Sequence, residues 1–259
     1  MALQAYDDFV ARVANGYWMS QPIWDEIQTA TTALLVAPTT NCQRCGYTRN
    51  MPSPLPSGVT AYIPTKIAVH WAGADILRGI LVAKMISFGS LNIATPTFTD
   101  GSAMPTVTEL GVSRSLSSAI LAEVTTVLNA TPGSLTVTYV DQDGNTAETT
   151  TADALTASAA VRSCAFVKLN SPDWGARDIT AASRTGGTTP TGVIQFWGLI
   201  PIMFVSCNSA QAPNYAHENL LLQHFNPARL GAGDRVGCFV MGATATKCVQ
   251  GDIFIVGDN

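Results

Sequence analysis

Residues 133–151, GSLTVTYVDQDGNTAETTT, constrain the fold of this chain more than any other stretch. Leu135, Val137 and Tyr139 alternate with Thr136, Thr138 and Val140, the period of two that suits a strand with one buried face. The run ends in Asp141-Gln-Asp143-Gly144-Asn145, residue types that tolerate the positive backbone angles of a tight turn. A β-hairpin is expected. Its returning arm, residues 146–151, carries almost no large apolar side chain, so the first arm supplies the core contacts and the second faces water or another chain. The acids of this hairpin belong to a turn, held outward in water, with weak calcium binding as the alternative.

From residue 107 onward, short apolar or alternating runs recur with turn signals between them: 107–112, 117–128, 135–140, 145–151, 162–169, 176–182, 192–204, 235–242 and 252–256. Spacing of this kind predicts a mainly β fold, an antiparallel β-sandwich of jelly-roll type. Residues 116–128 also fit a helical period through Leu116, Ile120, Val124, Val127 and Leu128, and 214–225 read as a short helix or an irregular crossover. Residues 67–71 alternate as a strand, 76–91 form an apolar run whose β-branched content favours strands, and 94–105 read as a loop.

Ahead of the sandwich the pattern changes. Leu3, Tyr6, Phe9, Val13 and Tyr17 recur at helical spacing with Asp7 and Asp8 early and Arg12 late, an order that suits the helix dipole. A second short helix is expected to start near Ser20, with Pro22 in its first turn and Ile23, Trp24 and Ile27 on one face. Together these make an N-terminal helical arm over 1–38, either docking on another subunit or capping the open end of the sandwich. Residues 39–64 contain Pro52, Pro54, Pro56 and Gly58 and predict a Pro-rich loop or linker, leaving 65–259 as the sandwich domain.

Charged residues are 12% of the 259, against roughly a quarter in ordinary soluble domains, so Thr, Ser, Ala, Asn and Gly must cover the surface. Such a surface resists association poorly, which suggests a subunit with much of its exterior buried in a homo-oligomer or a larger assembly. A monomer with a Ser/Thr surface is the other reading. A net charge of −4 with singly scattered Lys and Arg argues against direct nucleic-acid binding. The N-terminus lacks the basic start of a secretory signal, and the longest apolar runs are too short and interrupted to span a bilayer, so a soluble protein made in the cytoplasm is expected.

No motif announces catalysis. There is no Gly-x-Ser-x-Gly elbow, no phosphate-binding glycine loop, no dinucleotide fingerprint and no His-Glu-x-x-His. Cys42 and Cys45 have knuckle spacing but no second pair, so buried or loop thiols are the simpler account, with zinc shared with His217 or His224 as the alternative. The chain is read as a non-enzyme with no cofactor and no metal. Trp174 lies in a short polar loop beside Asp173 and close to Arg177, where it could serve as a sugar platform or as an interface anchor. Trp and Arg are both enriched at interface hot spots, which favours the anchor. The candidate interface residues are Tyr6, Phe9, Trp18, Trp24, Trp174 and Arg177.

Two stretches resemble a group of tailed-bacteriophage virion proteins of the minor-capsid or capsid-decoration type. Residues 6–16, YDDFVARVANG, are similar to the short helix with which such proteins begin. Residues 135–144, then 164–179 with Gly175-Ala-Arg177-Asp-Ile179, then 192–202, follow the family's order of a "TVTYxNQDG" strand and turn, a loop with Asp and Gly, a "GVRSV" strand and a glycine-flanked hydrophobic strand. Asp141 stands where that pattern has Asn, and Gly175-Ala-Arg-Asp-Ile replaces "GVRSV". Residues 42–64 and the tail after 210 match nothing in the pattern. The resemblance covers about half of the chain. It implies a virion location and a structural role exercised through contacts with the major capsid protein or other virion proteins: capsid decoration or cement, a minor capsid protein, or a head-tail component. A glycan- or receptor-binding module of a fibre or tail is the competing implication.

Overall fold

The structure is a computed structural model that describes residues 18–27, 41–44, 49–51, 55, 59–72, 79–109, 112–159, 161, 163–206, 214–219, 230–241 and 248–258. Among these none is helical. Tyr6, Phe9 and the helix expected over the first residues lie outside the described set. The strands in chain order begin with β1 (Trp18–Ile27), β2 (Asn41–Arg44), β3 (Arg49–Asn50), β4 (Ala61–Ala72), β5 (Gly79–Asn92) and β6 (Thr97–Asp100). They continue with β7 (Thr106–Glu109), β8 (Val112–Ser115), β9 (Ile120–Thr126), β10 (Ser134–Asp141), β11 (Glu148–Thr149) and β12 (Asp153–Ala154). The last are β13 (Ser163–Phe166), β14 (Ala176–Thr185), β15 (Val193–Ser206), β16 (Asn214–Asn219), β17 (Arg235–Met241) and β18 (Cys248–Asp258).

Two compact units divide the chain: residues 1–31, 44–84 and 201–259 form the first, and 32–43 with 85–200 the second, so the division passes through β5 and β15. In the first unit a four-stranded antiparallel sheet runs β1-β18-β4-β16. Beside it, Tyr62 exchanges backbone hydrogen bonds with Leu230 at 2.7 and 2.8 Å. Lys84 pairs with Asp234 at 2.5 Å, and Asp234 also accepts from the Gly231 amide.

The second unit is an antiparallel β-sandwich. One layer orders its strands β2-β13-β9-β15-β5-β6; in the other, β10 is flanked by β14 on one side and by the two-residue strands β11 and β12 on the other. Phe88 and Leu91 of β5, Ile120 and Val124 of β9, and Ile194 and Phe196 of β15 face one shared core with Leu135, Val137 and Tyr139 of β10 and with Ala176, Ile179 and Ala182 of β14. As the alternation predicts, Leu135, Val137 and Tyr139 are buried. One buried charge is engaged on β9: Glu123, 1% exposed, accepts from the Trp197 indole N–H of β15 at 2.7 Å.

The helix expected from Ser20 is instead strand β1, paired with β18 along its length. Ile and Trp favour the pleated surface, and the register shifts between Pro22 and Trp24, so Pro22 sits beside a bulge where a missing N–H costs little. The same device accommodates Pro64 in β4, where the partner register shifts between Phe254 and Ile255. Residues 214–219, read as helix or crossover, pair as β16 with β4, and the helical alternative for 116–128 yields to strand β9. Within 94–105 the strand β6 returns along β5, and the Pro-rich segment contains β2 and β3. For β1, β9 and β16 local propensity loses to a ladder whose partner is distant in sequence, whereas β6 pairs with its neighbour β5.

The hairpin is also less symmetrical than its sequence implies. Only Glu148 and Thr149 of the returning arm pair with β10 as a strand. Thr150 is buried, its hydroxyl accepting from the Val137 amide at 3.0 Å, while residues 146, 147, 149 and 151 are exposed. The long partner of β10 is β14, which matches it from Ser134 to Asp141.

Candidate functional site: a clamped tryptophan loop

The site is assembled by the register of β10 against β14. Thr138 pairs with Ala181 but Tyr139 with Ile179, and Val140 pairs with Asp178 but Asp141 with Ala176. Thr180 and Arg177 are therefore extra residues, each in a bulge. A bulge re-aims side chains and lengthens the buried repeat, which is why Ala176, Ile179 and Ala182 are buried at intervals of three. Freed from the ladder, Arg177 donates through Nε (3.0 Å) and Nη2 (2.6 Å) to the carbonyl oxygen of Gln142 in the β10 turn.

That turn is held from inside. The Asp141 side chain is 2% exposed, a correction to the expectation that the hairpin acids point into water. Its Oδ1 accepts from the amides of Asp143, Gly144 and Asn145 at 2.8, 2.7 and 2.8 Å, and its Oδ2 from the Asn145 side chain at 2.7 Å. Burial alone would raise its pKa; these four donors outweigh burial and hold the carboxyl below its ordinary range. Oxygens so occupied by N–H donors are not arranged for calcium, and no cluster of three or more metal-ligating side chains occurs among the described residues. Asp143 does face solvent.

The loop 170–175 packs on this turn. Asn170 accepts from the Asp173 amide at 2.7 Å across a cis Ser171–Pro172 peptide. The Tyr139 hydroxyl donates to Asp173 Oδ2 at 2.6 Å and accepts from the Asn170 amide at 3.2 Å. Burial first, then the hydrogen bond to Asp173, push the Tyr139 phenol up to about 12. Gln142 closes the arrangement: its Oε1 accepts from the amides of Trp174 (3.2 Å) and Gly175 (3.4 Å), while its Nε2 reaches Asp143 Oδ2 at 3.0 Å. The outcome is a hydrogen-bonded backbone from which Ser171, Pro172 and Trp174 are exposed. Trp174 is 70% exposed, the most exposed large apolar residue among those described.

Three predictions arise from this geometry. Gly144 has φ +94°, and a Cβ there would lie 3.0 Å from Arg177 Nη1, so Gly144→Ala should cost about 1–2 kcal/mol in urea unfolding. The Asp141 carboxyl is lowered on folding, so its stabilisation is present above the unfolded carboxylate range and is lost as pH falls through the folded value. Asp141→Asn should keep the backbone bonds and flatten that acid limb in thermal melts across pH, whereas Asp141→Ala should lower stability at neutral pH as well. Tyr139 has the opposite sign: its phenol is raised on folding from 10.0 to about 12, so its contribution is intact below pH 10 and disappears between pH 10 and 12. Tyr139→Phe should abolish that alkaline loss and cost about 1–3 kcal/mol at neutral pH, because it strands Asp173 and the Asn170 amide.

Of the candidate interface residues, the structure brings Trp174 and Arg177 together through Gln142. Trp18 and Trp24 belong to the other unit, on β1 opposite Val256 and Gly251. Cys42 lies on β2 with Cys164 of β13 as its register partner, and His217 lies on β16 opposite Ala68. Sequence reading placed Tyr139 in the core and named Asp173 only as the neighbour of Trp174, and it gave no role to Gln142. The signal for the Asp141 cap was present, since Asp ahead of Gly-Asn commonly bonds its own turn amides; the roles of Gln142 and Asp173 depend on a loop thirty residues away.

No family model matches this chain, and no curated protein matches it. Solved structures of infectious bursal disease virus are among those found in structural comparison. The Gt strain structure is 11% identical with a TM-score of 0.20, covering 94% of this chain and 81% of that one. A mutant VP2 protein from derived T=1 particles is 9% identical with a TM-score of 0.19, covering 94% and 78%. TM-scores this low carry no argument about fold or function.

Proposed function

We propose that this chain is a structural protein of a tailed-bacteriophage virion, of the capsid-decoration, cement or minor-capsid type, acting without catalysis through contacts with the major capsid protein, other virion proteins and copies of itself. The observation that carries this reading is Trp174: a large apolar side chain held in water by a backbone that is hydrogen-bonded to Gln142 and braced by Tyr139 and Asp173. Exposing an indole is unfavourable for an isolated subunit, and a fixed loop loses little further freedom when a partner covers it. The low charge of the chain and the Thr-rich surface of β10 and its returning arm suit the same role. Specific contacts of roughly 800 Å² per partner, repeated by symmetry, would turn modest pairwise affinity into a stable shell. The test is co-assembly of purified protein with phage particles that lack it, scored by sedimentation; failure to associate with particles at any stoichiometry would overturn the reading.

A second reading rests on the same residue. An exposed indole on a loop that Gln142 links to the exposed Asp143 is also the chemistry of a sugar platform, as in a receptor-binding module of a fibre or tail. Saturable glycan-array binding that disappears in Trp174→Ala would select it over the assembly role.

A further inference from the structure

The sandwich is open along one edge of its second layer. There β10 is flanked by the two-residue strands β11 and β12, with Thr150 bonded to Val137 between them and Leu155 packed against the core beyond them. The result is a cleft of about 340 Å³. Its walls are core residues of both layers, Val124, Leu128, Leu135 and Ile194, and Phe166 at the end of β13, 38% exposed, forms part of its lining. Val127 and Val161, 52% and 41% exposed, are not part of that lining. Of the four exposed large apolar residues among those described, Phe166 is the one that lines this cleft. A concave cleft lined mostly by apolar side chains with a few polar groups is the form a small-molecule site takes.

Charge specifies the class of ligand. Among the described residues the lining contains two acids, Glu123 and Asp153, and no Lys, Arg or His. Glu123 is buried and engaged with Trp197, so the acid that meets an incoming molecule is the exposed Asp153 of β12. At about 340 Å³ the cleft lies at the lower end of the range for small-molecule sites. We propose that it is a binding site for a small apolar amine: the alkyl or aryl body lies between the layers against Leu135 and Ile194, and the ammonium group meets Asp153. Anionic amphiphiles of the same size are disfavoured by the same carboxylates.

Titrating the full chain with phenylbutylamine and, separately, phenylbutyrate by calorimetry tests this. The amine should bind with one-to-one stoichiometry and about fivefold more tightly than the acid, the preference shrinking as salt is raised. Asp153→Asn should bring the two affinities together. Ala154→Trp, placed at an exposed position of β12, should fill the mouth and abolish binding of both without lowering the melting temperature. Absence of saturable amine binding, equal affinity for the two compounds, or binding unchanged in Ala154→Trp would each overturn the proposal.

Discussion

Phe196→Ala is expected to cost about 3–5 kcal/mol, seen as a lower urea midpoint at unchanged slope. Phe196 is fully buried on β15, within the core shared by both layers, and its ring stands 6.3 Å from that of Phe98 at a 57° tilt. Truncation removes the ring's transfer free energy and leaves a cavity bounded by two sheets whose ladders resist collapse. Because whole domains are stable by only about 5–15 kcal/mol, one side chain then decides a large part of the total. Phe196→Leu keeps most of the volume and should cost about 1.5 kcal/mol or less. Equal losses for the two variants would show that the layers do not pack as described.

Trp174→Ala should leave stability within about 0.5 kcal/mol of the parent, since the side chain is mostly in water, and should weaken assembly by about thirtyfold or more, the loss typical of an aromatic hot spot. The dissociation between the two readouts is what distinguishes an anchor from a structural residue. Gln142→Ala supplies the complementary case. It removes the acceptor for the Trp174 and Gly175 amides without touching the indole, so assembly should fall by less than in Trp174→Ala, through a loosened loop. Parent-like assembly of Trp174→Ala would remove the anchor from the proposed function.

Why some of this was legible in the residues alone, and some was not, follows from the range of the interactions involved. Alternation in residues 134–141 is a one-strand property: a strand with apolar side chains at every second position has one arrangement that hides them, so the burial of Leu135, Val137 and Tyr139 and the turn after them could be read directly. The β class followed likewise from short runs and turn residues. Trp174 and Arg177 were identifiable as candidates by chemical type.

Their conjunction was not identifiable, because it rests on pairings between distant segments. Two bulges in the β10–β14 ladder choose which β14 residues face the core and release Arg177 to the Gln142 carbonyl. The fate of Ser20 to Ile27, a strand where local pattern suggests a helix, was likewise settled by where β18 lies, whereas the Asp141 cap on its own turn amides is local. Short segments encode their own periodicity; register, bulges and sheet edges come from the free energy of the whole set of ladders. The open edge beside β12 and the clamped loop beneath Trp174 are both features of that second kind.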